Sequence, residues 1–465
     1  MIETFFPRDR VARALTLSTA AHSLSSGVFY TVSALYFTRV IGLEATTVGL
    51  GLGIAGGVGV GASYGGGWLS DRVGAHHVQS WAMTLNGMAM LAYTFAADAL
   101  DFVLVACVAV GTRSAQGTAK QAIIARWYVG PERVTLRARM RVVTNVCIGL
   151  GTVTAAAALV VDTSAAYRAA MLAAGILLLV AAVPVVRLPR AVPALAEAML
   201  AQTPPVEPVE TTPAQTPPVE PVETTLAQTP PVEPVETTPA QTPPVEPVET
   251  TPVRSPSPWR DRTYVASVVA NAVVAMHFGL QTVGVPLWIA TTEAPTAMVS
   301  VLLVLNTVVV ASLQVRASLG THDVRRAGVA VRRGSWLLAG ACVAYALAGY
   351  GDVVTACGLL VVAALVHGLG EILGEAGGWG MAFELADPRR AGAYQGLTQT
   401  GYAVAAMVSP VLVTATAIEH GTVGWVVLGA LFAAAGTAAA WVARHAATRG
   451  AHSREVSVAA DNLTA

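Results

Sequence analysis

Twelve stretches of this chain are long, mostly apolar and poor in charge, and they dictate the solvent in which it folds. A helix needs about 20 mostly apolar residues to cross a bilayer. Six such runs fall at roughly 11–38, 45–69, 78–97, 101–125, 140–161 and 166–186. Six more follow at roughly 262–290, 296–315, 334–350, 353–378, 392–416 and 421–443. Hydrophobic residues make up 54% of the 465 and charged residues only 12%, against roughly 25% charged in a soluble domain. The fold class is therefore an all-α membrane protein of twelve transmembrane helices in two six-helix bundles. The N-terminal run is too long for the core of a signal peptide and is read as a retained first helix. Stretches such as GLGLGIAGGVGVGASYGGG (49–67) are helix-packing surfaces, since small residues let backbones approach where no hydrophobic effect separates helices from lipid.

Between the halves, TPPVEPVETTPAQ begins at Thr203 and recurs with small changes at Thr216, Thr229 and Thr242. Frequent proline forbids helix interior and sheet, leaving polyproline II or disorder. It reads as an acidic, semi-rigid spacer, with recognition by a partner as the alternative. The expected organisation is a bundle over 1–190, a repeat linker over 191–260, a second bundle over 261–445 and a tail over 446–465.

Basic residues set the orientation. If the N-terminus is cytoplasmic, the cluster from Arg126 to Arg141 and nearly every other arginine outside the spans fall inside, while the outer loops hold only Arg39 and Arg168. Both termini, the linker and the tail are then cytoplasmic, in a cell membrane crossed many times. Net charge is +0, which gives no general attraction to nucleic acid. Cys107, Cys147, Cys342 and Cys357 sit inside apolar runs without CxxC spacing, so no metal site, disulfide framework or cofactor is implied.

The loop after the second run reads GGWLSDRVGAHHV (66–78), with Gly67, Asp71, Arg72 and Gly74 in a Gly, Asp-Arg, Gly pattern. Gly67 permits close packing. Asp71 can accept hydrogen bonds from a neighbouring helix N-terminus. Such a loop would latch one conformation of the two halves. The fourth run contains GTRSAQGTAKQAIIA, with Arg113, Gln116 and Gly117, and RARMRVVTNVCIGLG opens the fifth. The second half carries HGLGEILGEAGGWGMAFELADPRRAGAYQGL, and its own version of the loop, ASLGTHDVRRAGV, is degenerate. In these motifs the chain resembles the major facilitator superfamily, over both halves but not the linker, and the fourth run resembles its bacterial proton-coupled drug exporters. The exporters' Gly-Pro pair in helix five is absent; GLGTVTAAAA stands there. The resemblance implies that helices one, four, seven and ten line a central cavity.

Mid-span polar residues select the same four helices: His22; Arg113, Gln116 and Lys120; His277 and Gln281; His367, Glu371 and Glu375. A charge at bilayer depth costs about 2.5–3.5 kcal/mol, so each must face water or a partner. His367, Glu371 and Glu375 share one helical face, as do Arg113, Gln116 and Lys120. Counted by depth, Lys120 lies level with Glu371 and Arg113 with His367. A carboxylate whose pairing changes with conformation can load and release a proton. Glu371, Glu375 and His367 are the proton-coupling candidates. His22, Arg113, Gln116, Lys120, His277 and Gln281 are the cavity candidates. The alternatives are an ion pair that only ties the halves together, and histidines satisfied by neighbouring hydroxyls. Asn145 and Asn306 read as interhelical hydrogen-bonding groups, and Trp288 and Trp379 as part of an interfacial aromatic belt.

The sequence thus points to a monomeric secondary active transporter for a small molecule, exporting it as an antiporter against inward proton flow in the lipid bilayer. Uptake by the same fold is the runner-up, and a membrane sensor or enzyme the third possibility. HExxH and GxxxxGK[ST] are missing, which speaks against a zinc-protease site and against an ATPase within the chain.

Overall fold

The computed structural model describes residues 7–200 and 257–464. The repeat and most of the linker lie outside these residues. The helices are α1 (Arg10–Leu35), α2 (Ala45–Val73), α3 (Ala75–Ala92), α4 (Ala99–Trp127), α5 (Pro131–Val161) and α6 (Ser164–Ala191). Then follow α7 (Arg262–Ile289), α8 (Met298–Ala317), α9 (Val324–Ala348), α10 (Val353–Glu384), α11 (Ala391–Val413) and α12 (Gly421–Thr464). A short helix, Pro193–Leu200, follows α6 and buries Leu195 and Met199. Among the described residues there is no strand, and nine helices are long and apolar enough to cross a membrane. The remaining three, α1, α3 and α9, are diluted by polar residues: serines and threonines in α1, paired histidines in α3, and Arg325, Arg326, Arg332 and Arg333 in α9.

Local chemistry sets the helix starts. The side chains of Asp9, Asp98, Thr163, Asp261, Asp323 and Asp352 each accept from a backbone amide in the first turn of the helix that follows, as an N-cap does. Pro131 sits at the first turn of α5, where its missing N–H costs nothing. That helix starts well before residue 140, because hydropathy registers the charged turns over 131–139 as loop although they are helical. Gly74, at φ +90°, breaks α2 from α3 in a conformation that disfavours any side chain. The outer faces carry exposed Leu50, Ile54, Val153, Val160, Val354 and Val411, the side that lipid covers.

The two halves meet along α2 against α11 and α5 against α8. The first crossing is glycine on glycine: a Cβ on Gly67 would overlap the Gly392 carbonyl oxygen, and one on Gly392 would overlap that of Gly67. Such contact brings the α2 and α11 backbones together at the end of the bundle where α1 begins, here the basic end. At the opposite end, Asp162 closes α5 at φ +48°. The Tyr167 hydroxyl donates to it at 2.6 Å and the Arg39 guanidinium at 2.9 Å, and together they hold its carboxyl below the usual carboxylate range.

Trp288 and Trp379 are not an interfacial belt. Trp288 is buried and donates to the Tyr345 carbonyl oxygen at 2.7 Å. Trp379 is buried, stacked on Tyr402. Both lie near helix ends in sequence, but neighbouring helices cover them.

Candidate functional site

The helices enclose a central cavity that is closed toward the basic end. One chamber of about 210 Å³ is lined by His22, Arg113, Lys120, Arg137, Arg141 and Gln399, among others. A second, of about 570 Å³, shares Arg113, Gly117 and Gln399 with it and widens toward the opposite end past Phe29, Tyr30 and Phe37. The larger chamber lies within the ~300–1,000 Å³ typical of small-molecule sites.

Below the smaller chamber lies a ladder of charge between the halves. Arg133, Arg137 and Arg141 on α5 are four residues apart and so share one face. They meet Glu384, Glu375 and Glu371 on α10. Arg133 Nη1 is 3.5 Å from Glu384 Oε1, and Arg137 Nη2 is 3.9 Å from Glu375 Oε2. Arg141 is bidentate across the two carboxylates: Nη1 donates to Glu375 Oε2 at 3.0 Å and Nη2 to Glu371 Oε1. The side chains of Glu371 and Glu375 are only 2% and 4% exposed, deep enough that an unpaired charge would be costly.

The two carboxylates differ in how fully they are held. Glu375 Oε2 also accepts from Trp379 Nε1 at 3.2 Å, and its Oε1 accepts from the Tyr402 hydroxyl at 2.9 Å. The Arg137 guanidinium lies 4.3 Å over the Trp379 ring. Every oxygen of Glu375 is therefore engaged. Glu371 Oε2 is buried with no hydrogen-bond partner among the described residues.

The sequence candidates divide into four groups in space. Glu371, Glu375, His367 and His277 come together: His277 Nδ1 and His367 Nε2 are 3.2 Å apart, within hydrogen-bond distance. His22 and Gln116 meet across α1 and α4 at 3.3 Å. Arg113 and Lys120 line the central chamber. Gln281 does not join them; with Asn306, Tyr345 and His367 it lines a separate cavity of about 20 Å³ within the second half. The depth matching of Lys120 to Glu371 does not produce a pair. Helix α5 supplies the cations in its place, Arg141 to Glu371 and Glu375 and Arg137 to Glu375.

Sequence reasoning missed Arg133, Arg137 and Arg141. Their four-residue spacing is the available signal, but the sequence reading uses them as positive charge marking a side of the membrane and, for Arg137 and Arg141, as the opening of the fifth helix, not as partners of the carboxylates. Arg126 was missed in the same way.

At the basic end Asp71 accepts from three donors. Its Oδ1 takes the Gly392 amide at 2.7 Å and Arg126 Nη2 at 2.8 Å, and its Oδ2 takes the Ala393 amide at 2.7 Å. Both amides belong to the first turn of α11, where free N–H groups favour a negative charge. Arg126 Nη1 also donates to the Met199 carbonyl oxygen at 2.7 Å, tying in the short helix after α6. Arg72 lies outside this cluster, its guanidinium 3.4 Å over the Trp68 ring.

Among the described residues, His277, His367 and Glu371 are the one group able to offer a cation three ligands, with their ligand atoms within 4.8 Å of one another. The Arg141 guanidinium on Glu371 sets a positive charge beside them and opposes a divalent ion. We therefore read the histidines as a hydrogen-bonded pair.

The Major Facilitator Superfamily sequence pattern matches residues 15–410. No curated protein is matched by the sequence. Among solved structures, the chain is similar to a bacterial homologue of the iron transporter ferroportin in an outward-facing state, at TM-score 0.66 and 13% identity over 95% of this chain and 100% of that one. It is similar to the human organic anion transporter MFSD10 (TETRAN), at TM-score 0.60 and 13% identity over 93% and 99%. It is also similar to the proton:xylose symporter XylE bound to 6-bromo-6-deoxy-D-glucose, at TM-score 0.59 and 12% identity over 92% and 94%. At these identities the likeness is one of fold.

Proposed function

The chain belongs to the major facilitator superfamily, and from that premise we propose that it is a secondary active transporter exporting a small organic compound in exchange for protons by alternating access. Glu371 is the proton carrier. The observation that carries this is the asymmetry between the carboxylates: Glu375 has both oxygens engaged, whereas Glu371 keeps Oε2 free in a buried position. Glu371 faces Arg141 from α5, His277 from α7 and His367 on its own helix. Arg141 and Arg137 also line the chamber, so a proton entering there is next to the pair. Protonation neutralises Glu371, loosens its hold on Arg141 and lets the basic end open. The test is accumulation in proteoliposomes under an imposed pH gradient, against a panel of compounds. No gradient-driven movement of any of them would sink this function.

The halves move as bundles of residues 1–190 and 261–445, joined by the 191–260 linker, in a bacterial plasma membrane and as a monomer. Arginine asymmetry supports a cytoplasmic basic end. Reporter fusions at Pro213 and after Ala465 should both signal cytoplasm; a periplasmic signal from the Pro213 fusion would overturn the topology.

Asp71, with Gly67 and Gly74 shaping its surroundings, latches the basic end shut in this reading. Asp71→Asn leaves one oxygen to accept and weakens charge-assisted bonds of about 1.5–3 kcal/mol. The expected outcome is a population shift toward the form open at the basic end. It is measured, in a background without the four native cysteines, as faster labelling of a single cysteine introduced at the buried Ala125, next to Arg126, by a membrane-impermeant thiol reagent applied to that side. Unchanged labelling would remove the latch role.

A further inference from the structure

We infer that the central cavity binds an organic anion whose acid group is received by Arg113 and Lys120. This deepens the transport function proposed above and rests on the substrate passing through this cavity.

The charges around the cavity do not balance. Four cations line the smaller chamber: Arg113, Lys120, Arg137 and Arg141. Arg137 and Arg141 are met by Glu375 and Glu371. Neither Arg113 nor Lys120 forms an ion pair with any described residue, and no Asp or Glu among the described residues lines either chamber. The two stand seven residues apart, two turns along one face of α4. Unpaired cations at bilayer depth persist only where water or an anion meets them. Both side chains are half-buried and open to the chamber.

The second chamber gives the rest of the ligand its character. It joins the first at Arg113, Gly117 and Gln399, and its walls include Phe29, Tyr30, Phe37 and Leu52. Arg113 sits over the Tyr30 ring at 5.1 Å, which orients its guanidinium at the junction. An acid group at the cations and an apolar or aromatic body among these rings fits both chambers. An organic cation would have nowhere to place its charge, and a neutral ligand would leave both cations unmet.

The test uses the full chain in phosphatidylcholine nanodiscs, so that no anionic lipid competes. Equilibrium binding is measured for naphthalene-2-carboxylate, for its neutral carboxamide and for 2-naphthylmethylammonium. The carboxylate is expected to bind on the order of tenfold or more tightly than either analogue, as a charge-assisted hydrogen bond warrants. Arg113→Gln and Lys120→Gln should each weaken the carboxylate on the order of tenfold and leave thermal unfolding unchanged. Arg113→Lys, which keeps the charge, should retain most of the binding. Equal affinity for all three probes, or carboxylate binding untouched in both glutamine variants, overturns the inference. Proteoliposome transport separates the two claims. Tight carboxylate binding without any pH-driven transport supports the anion site and defeats proton-driven export. Movement of the amide or ammonium under a pH gradient, with no carboxylate binding, does the reverse.

Discussion

Arg141→Gln should destabilise the protein more than any other single change at the junction of the halves, by about 3–5 kcal/mol, the cost of leaving buried carboxylates without their cation. Arg141 spans Glu371 and Glu375. Removing it strips Glu371 of its only cationic partner among the described residues and leaves Glu375 with Arg137 at 3.9 Å, Trp379 and Tyr402. The measurement is thermal unfolding of the full-length protein in detergent. A second variant separates charge from lost packing, because the Arg141 guanidinium also lies 5.1 Å from the Phe278 ring. If charge dominates, adding Glu371→Gln to Arg141→Gln should recover most of the stability, since the unpaired carboxylate is gone. A double variant no more stable than Arg141→Gln alone would assign the loss to packing. Wild-type stability in the single variant would mean that the ladder contributes nothing at this position.

The fold could be read from the sequence because lipid makes a simple demand. A run of about 20 apolar residues registers in the sequence whatever its neighbours are, and α2, α4, α6, α7 and α10 fell near their expected bounds for that reason. The ladder could not be read the same way. Hydropathy averaged away the first turns of α5, so Arg133 falls in a loop and Arg137 and Arg141 at a helix edge, and their shared helical face goes unused. Glu371 and Glu375 did stand out, as charges inside an apolar helix. Their partner was a question of tertiary contact, and depth counting chose Lys120 because it ignored which helix lies nearer α10. Trp379 failed for a related reason: position along a helix does not say whether a neighbour, here Tyr402 of α11, covers the ring. Asp71 was the most informative single residue, since a carboxylate between two helices has few uses other than helix N-termini and cations. Even there, Arg126 and the carbonyl oxygen of Met199 come from parts of the chain that no local pattern links to it.

Glu371→Gln should abolish accumulation driven by a pH gradient while leaving the protein folded. The second half of that statement follows from the geometry. Arg141 keeps Glu375 Oε2 at 3.0 Å after the change, so no cation is left alone, and the amide oxygen of Gln can still accept from Arg141 Nη2. The expected cost is that of one charge-assisted bond softened to a neutral one, about 1 kcal/mol, well short of the Arg141→Gln loss. The first half follows from chemistry: an amide cannot take up and release a proton in the working range. Exchange of labelled for unlabelled substrate needs no net proton movement, so it should continue in vesicles at equal pH. Permanent neutrality at position 371 also removes the charge that helps hold α5 to α10, so the basic end should open more readily in the variant than in the wild type. Three readouts on one preparation therefore discriminate: unfolding temperature, pH-driven accumulation and equal-pH exchange. A folded variant that accumulates substrate normally would remove Glu371 from the coupling and leave Glu375 or His367 to carry the proton. A folded variant that loses exchange as well would make Glu371 part of the substrate site, since an ion that only couples has no part in that half of the cycle.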